Sequence, residues 1–127
     1  MGKLDIKLAY SAGFIEADGC FQITNSGIGV RITNVHLPTL ERFVNWFGGN
    51  ISAKGKPVDC WNWNLHGEKA AELCKDLLPY LSMKKGAAKC LIEFQETVGA
   101  RGRYISPKVK ALREDIRSRL LETRNYR

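Results

Sequence analysis

Two histidines and four cysteines are the only imidazole and thiol metal ligands this 127-residue sequence offers. Cys20, Cys60, Cys74 and Cys90 form no C-x-x-C pair, so nothing marks a zinc module, and reduced, mostly buried thiols are expected. His36 and His66 fall in no metal-ligand pattern and are expected in loops or turns. No apolar run approaches the ~18 residues of a membrane-spanning helix, so no membrane partner is expected. The chain does not open on a charged-then-apolar leader. The expectation is an intracellular protein of cytoplasm, nucleoid or organelle, not a secreted one. Internal repeats and low-complexity segments are also missing.

Acidic residues are scarce in one place. Residues 101–127 hold 9 Lys and Arg against 3 Asp and Glu, whereas residues 1–100 hold 11 against 10. The overall charge of +7 therefore comes mainly from the C-terminal segment. Such a segment is either a solvated helix or an element that binds phosphate. Hydrophobic residues make up 44% of the chain, enough for a folded core. The length suits one domain over residues 1–127, without room for separate catalytic and DNA-binding modules.

The hydrophobic periodicity predicts helices over 5–17, 37–47, 67–78, 84–98 and 107–122. Gly19 is placed to end the first, Pro38 to start the second and Pro79 to help end the third. Strands are expected at 20–25 and 28–34, joined by the tight turn Asn25-Ser26-Gly27. A second hairpin pairs 51–53 with 58–65 across Lys54-Gly55-Lys56-Pro57. The order α-β-β-α-β-β-α with extra C-terminal helices predicts an α+β fold, an antiparallel sheet with helices on one face.

Side-chain alternation gives that sheet two chemistries. Phe21, Ile23, Val30, Ile32, Trp61, Trp63 and Leu65 share the apolar parity. Gln22, Thr24, Arg31, Thr33, Ser52, Lys54, Asn62 and Asn64 share the polar one, almost without carboxylates. An ordinary solvent face mixes both signs. Arg and Lys can donate to guanine in a major groove, and Asn and Gln suit adenine. The face is thus either plainly solvated or a DNA-reading surface.

The densest motif is Ser11-Ala12-Gly13-Phe14-Ile15-Glu16-Ala17-Asp18-Gly19. It resembles the nine-residue signature of the LAGLIDADG homing endonucleases, with Ser for the first Leu, Phe for the second and Glu for the first Asp. Ile32-Thr33-Asn34, followed by a helix ending in Trp46-Phe47-Gly48-Gly49-Asn50-Ile51, is similar to the family's passage from second to third strand. Pro79-Tyr80-Leu81-Ser82-Met83-Lys84-Lys85 resembles its basic segment after the second hairpin. The three motifs stand in the family's order and span roughly residues 4–120.

The resemblance implies a saddle-like sheet on DNA with helices behind it. It also implies a homodimeric, site-specific endonuclease that cuts both strands of a long pseudo-palindromic target and so promotes homing of an intron or intein. Ala9, Ala12, Gly13 and Ala17 form a ridge of small residues at helical spacing. That ridge, with Ile15, packs either on the chain's own sheet or against a second copy. A single motif favours the second copy, since a duplex has two strands to cut.

Glu16 and Asp18 would then converge at two helix C-termini, where free carbonyls and carboxylates suit Mg²⁺. By resemblance Asp18 is the metal ligand and the Ala17 carbonyl also faces the metal, while Glu16 is a buttress of the site, a cap on the dimer interface or a further ligand. Mn²⁺ is expected to substitute, and Ca²⁺ to bind without turnover. Asn34 matches a polar position that orients water near the scissile phosphate, usually Gln in relatives. Lys84 matches the basic residue beside that phosphate, with Lys85 as its neighbour. The polar sheet residues, with Lys56, Lys85, Arg117 and Arg119, make up the expected DNA surface. The alternatives are an RNA maturase, which would hold structured intron RNA, and a DNA-binding regulator that does not cleave.

Overall fold

The computed structural model describes residues 3–25, 27–55, 57–98 and 106–124. Helix α1 spans Lys3–Asp18, followed by β1 (Gly19–Thr24) and β2 (Gly27–Asn34). Helix α2 (Leu37–Phe47), β3 (Asn50–Lys54), β4 (Cys60–His66) and α3 (Gly67–Leu77) come next. A 3₁₀ turn (Leu78–Tyr80) leads to α4 (Lys85–Glu96), and α5 spans Pro107–Thr123. The four strands form one antiparallel sheet in the order β1-β2-β4-β3. This is the expected α+β architecture, with each predicted element present to within a few residues. His66 is a correction: it closes β4 and precedes α3 instead of lying in a loop.

The sheet's apolar face makes the core. Phe21, Ile28, Val30, Ile32, Trp63 and Leu65 are buried there under the helices. Cross-strand pairs Ile32↔Trp63 and Val30↔Leu65 put these side chains on one face, as period-two alternation requires. Aromatic packing seats α1 and α2 on this layer. Phe43 lies 5.5 Å from Phe14 and 5.2 Å from Trp63, ring centre to ring centre. The Trp63 indole N–H donates to the Gly48 carbonyl at 2.8 Å. The chain must turn tightly there. Gly49 has φ +84°, and a Cβ would lie 2.3 Å from the Asn64 carbonyl oxygen, so only glycine fits.

Helix α1 carries small and apolar residues on both its buried and its exposed side. Ala12 and Ile15 are fully buried in the chain's own core. They are therefore corrected from interface residues to core residues. Ile6, Tyr10, Gly13 and Ala17 lie exposed along the opposite stripe, with Ala9 half-buried beside them. The spacing of four, three and four residues places them on one side of the helix. Gly13 faces open space, with no atom within 4 Å of where a Cβ would stand.

Helix α5 covers α4 through its arginines. Arg119 forms ion pairs with Glu93 at 2.8 Å and Asp115 at 3.0 Å. The hydrogen bond from Arg119 to Glu93 chiefly holds its guanidinium above its usual pKa. Arg113 and Arg117 stack over Phe94 at 5.2 and 5.1 Å, and Arg113 also donates to Thr97. The expectation of phosphate contacts at Arg119 and Arg117 is corrected accordingly: these cations are used to dock the helix. All four cysteines carry free thiols. Burial pushes the Cys74 thiol up to about 12.

Candidate nucleic-acid interface and catalytic centre

The end of α1 carries the motif's acids. Asp18 is its last residue and is exposed. Gly19 begins β1 without a left-handed backbone. It is glycine because a Cβ would lie 2.8 Å from the Ile15 Cα and 2.9 Å from its carbonyl oxygen. The turn from helix to strand is thus too tight for a side chain, which fixes where Asp18 sits.

Asn34 ends β2 on the parity of Ile28, Val30 and Ile32, so it faces the helices. Its Nδ2 donates to Asp18 Oδ2 at 3.1 Å, and its Oδ1 accepts from the His36 backbone N–H at 2.8 Å. The structure thus brings Asp18 and Asn34 together, though Asn34 contacts the carboxylate directly. The position expected to orient water is engaged with the acid itself.

Two acids in the last turn of α1 oppose the helix dipole, and that turn has no basic residue of its own. The compensating cation comes from elsewhere. Lys84 Nζ donates to the carbonyls of Ile15 at 3.0 Å and Gly19 at 2.6 Å. In return, the Glu16 carboxylate accepts from the backbone N–H groups of Ser82 and Lys84 at the start of α4. Each helix end thereby receives the charge that suits its dipole. Glu16 is thereby engaged as the acceptor that seats α4 on α1, the buttressing one of its expected roles. Nothing in the local sequence signals it, because the partners are 66 and 68 residues apart. Lys85, next along, is exposed in the first turn of α4.

The other sheet face is polar along its length. Across it run the rows Cys20–Arg31–Asn64–Asn50, Thr33–Asn62–Ser52 and Gln22–Gly29–His66, with Cys60 beside Lys54. Gln22, Thr24, Arg31, Thr33, Ser52, Lys54, Asn62 and Asn64 therefore share one face, as expected. Lys56 lies outside the described residues. Asn50, His66 and Cys20 join the face too, and Cys60 lies on it by the same alternation as Asn62 and Asn64. Extending the period-two pattern by one residue at each strand end would have found Asn50 and His66. Two cross-strand bonds order the centre: Arg31 Nε donates to Asn64 Oδ1 at 3.0 Å, and Thr33 Oγ1 donates to Asn62 Oδ1. No carboxylate belongs to these rows, so the face offers donors and cationic charge to an anion.

Among the described residues no three His, Cys, Asp or Glu side chains cluster as a metal-ligand set. The donor chemistry nevertheless suits a hard cation. Asp18 is exposed, and among the described residues only Asn34 bonds its carboxylate. Mg²⁺ keeps several waters and needs few protein ligands.

No family profile and no curated protein matches the sequence. Solved structures do match its fold. The homing endonuclease I-CvuI, crystallised with its target in the presence of calcium, superposes with a TM-score of 0.80 at 17% identity. The match covers 94% of this chain and 83% of that one. The archaeal intron-encoded homing endonuclease I-Vdi141I, complexed with DNA, gives 0.78 at 18% identity, over 94% and 84% of the two chains. The homing endonuclease I-TnaI gives 0.62 at 16% identity, over 94% and 97%.

Proposed function

We propose that this chain, which has the fold of the LAGLIDADG homing endonucleases, is a site-specific double-strand DNA endonuclease acting as a homodimer. The observation that carries the reading is the end of α1. An exposed Asp18, bonded to Asn34, stands at the tip of a helix whose outer stripe is Ile6, Tyr10, Gly13 and Ala17. Two such helices meeting along that stripe would bring two Asp18 carboxylates together over one duplex. A two-fold dimer uses the same stripe on both copies, which fits a pseudo-palindromic target. Cutting there would promote homing of a host intron or intein.

Asp18 and the Ala17 carbonyl would hold Mg²⁺, with Mn²⁺ as a substitute and Ca²⁺ supporting binding without turnover. Bound there, the cation would supply charge to the phosphate and leaving oxygen and make water a stronger nucleophile. The protein's own residues then have distinct tasks. The Asn34 amide fixes the orientation of the Asp18 carboxylate. Lys84 holds the helix end that carries Asp18, and places a cation at the same locus. The polar sheet face lies against the duplex and reads base edges. The neighbours' complexes with DNA support DNA as the partner.

The test is to incubate the protein with a randomised duplex library and Mg²⁺, then sequence the ends produced. Paired cuts at one recurring sequence support the reading. A library that is bound selectively and never cut points to a regulator. Splicing of a host intron RNA without any DNA cleavage points to a maturase.

A further inference from the structure

Arg31 and Asn64 stand opposite each other on β2 and β4, in the middle of the polar face. The Arg31 Nε–H donates to Asn64 Oδ1 at 3.0 Å. This bond has a chemical consequence. A guanidinium can grip two acceptors side-on, through Nε and one Nη, or end-on, through its two Nη groups. Asn64 occupies Nε and so leaves the end-on pair. It also restrains a long side chain, lowering the entropy lost when the fork engages a ligand. Asn64 is changed as well. An asparagine that reads adenine accepts from N6 through Oδ1 and donates to N7 through Nδ2. Here Oδ1 already accepts from a cation.

We propose that Asn64 does not read a base itself but is the positioning residue that aims Arg31 at the O6 and N7 of one guanine in each half-site. The inference rests on the DNA-reading role of the sheet face proposed above. It assigns that face a base: guanine under Arg31, and no separate adenine preference at Asn64. The row supports this division of labour. The flanking partner of Arg31 on β1 is Cys20, a weak hydrogen-bonding group that leaves Asn64 as the side chain able to orient the guanidinium.

The experiment is selection of bound duplexes from a randomised library in Ca²⁺, with sequencing of what is retained. Wild type, Arg31→Ala, Asn64→Ala and Asn64→Asp are compared, each checked for folding by thermal melting. Wild type should enrich guanine at one position per half-site, by about 5- to 150-fold over other bases, the usual range for one bidentate contact. Arg31→Ala and Asn64→Ala should both lose enrichment at that same position. Asn64→Asp keeps an acceptor for Nε but lacks the amide donor, so it should retain the guanine preference. If Asn64→Ala does not fold, Asn64→Leu, of similar size and without an acceptor for Nε, takes its place and should lose the same guanine enrichment. In Asn64→Asp a positioning role keeps guanine, whereas direct adenine reading abolishes an adenine preference at a separate position. Guanine enrichment unchanged in Asn64→Ala overturns the inference while leaving the DNA reading intact. A wild type that retains no duplex overturns the DNA reading, and this inference falls with it.

Discussion

Asn34 donates its side-chain N–H to Asp18 Oδ2 at 3.1 Å, joining the end of β2 to the end of α1. The same asparagine is anchored through Oδ1 by the His36 backbone N–H. It therefore acts as a bracket that holds the acid in one orientation. Asn34→Ala should keep DNA binding and slow cleavage by about 10- to 100-fold, the range seen when a partner supporting a metal ligand is removed. Asn34→Asp should be worse, since it puts a second negative charge against the carboxylate. Single-turnover cleavage of a bound target measures both. Equal rates for wild type and Asn34→Ala would remove the bracket from the mechanism.

Gly13 separates assembly from folding. A side chain there meets nothing within its own protomer, and the backbone is helical. Gly13→Leu should thus fold, because glycine costs a helix about 1 kcal/mol relative to a good helix former, although loss of the dimer's stabilisation works against any gain in melting temperature. In a dimer built on the Ile6–Ala17 stripe, the leucine would hold two helices apart. Sedimentation should show a wild-type dimer and a Gly13→Leu monomer that does not cleave. A Gly13→Leu dimer with full activity would move the interface elsewhere.

Ser11 is the buried polar residue of the signature, and its hydroxyl finds no hydrogen-bond partner among the described residues. Burying an unpaired hydroxyl is unfavourable by about 1–3 kcal/mol. Ser11→Ala removes it with little change in volume and improves helix propensity. The variant should be more stable by about 1 kcal/mol. Urea denaturation checks this, and a lower midpoint for Ser11→Ala would indicate a hydrogen bond that the structure does not record.

Arg119 is a docking residue. Its guanidinium is shared between Glu93 and Asp115, and all three groups remain partly exposed. Exposed pairs are worth about 0.2–1 kcal/mol each, so Arg119→Ala should cost about 1 kcal/mol of stability. The salt dependence of DNA binding should keep its slope, because no phosphate contact is lost. A slope reduced by about one would return Arg119 to the DNA surface.

The sequence carried most of the fold because its signals are local. Period-two alternation in Val30-Arg31-Ile32-Thr33 and Trp61-Asn62-Trp63-Asn64 defines both faces of the sheet, but the pairing Arg31↔Asn64 and Ile32↔Trp63 is one of several registers with that parity. Motif position singled out Asp18 and Asn34 as candidate site residues, but their contact was not legible, since it depends on how β2 returns past α1. The phase of α1 was misjudged at Ala12 and Ile15. Small residues lie around much of that helix, so composition alone could not say which side the sheet covers. The basic charge of α5 was equally ambiguous. Glu93 lies far from Arg119 in sequence, and only packing reveals that the two neutralise each other.

Asp18 is the residue on which the catalytic account turns, and cleavage measured beside binding on one DNA tests it most directly. Asp18→Asn keeps the size of the side chain and removes the charge that would hold a cation. Binding to the target should persist or tighten, since a carboxylate beside phosphate is repulsive without metal. Cleavage in Mg²⁺ should fall by orders of magnitude, about 10³-fold or more, because activation of water is lost. An Asp18→Asn protein that binds and cuts the target at the wild-type rate would contradict the account.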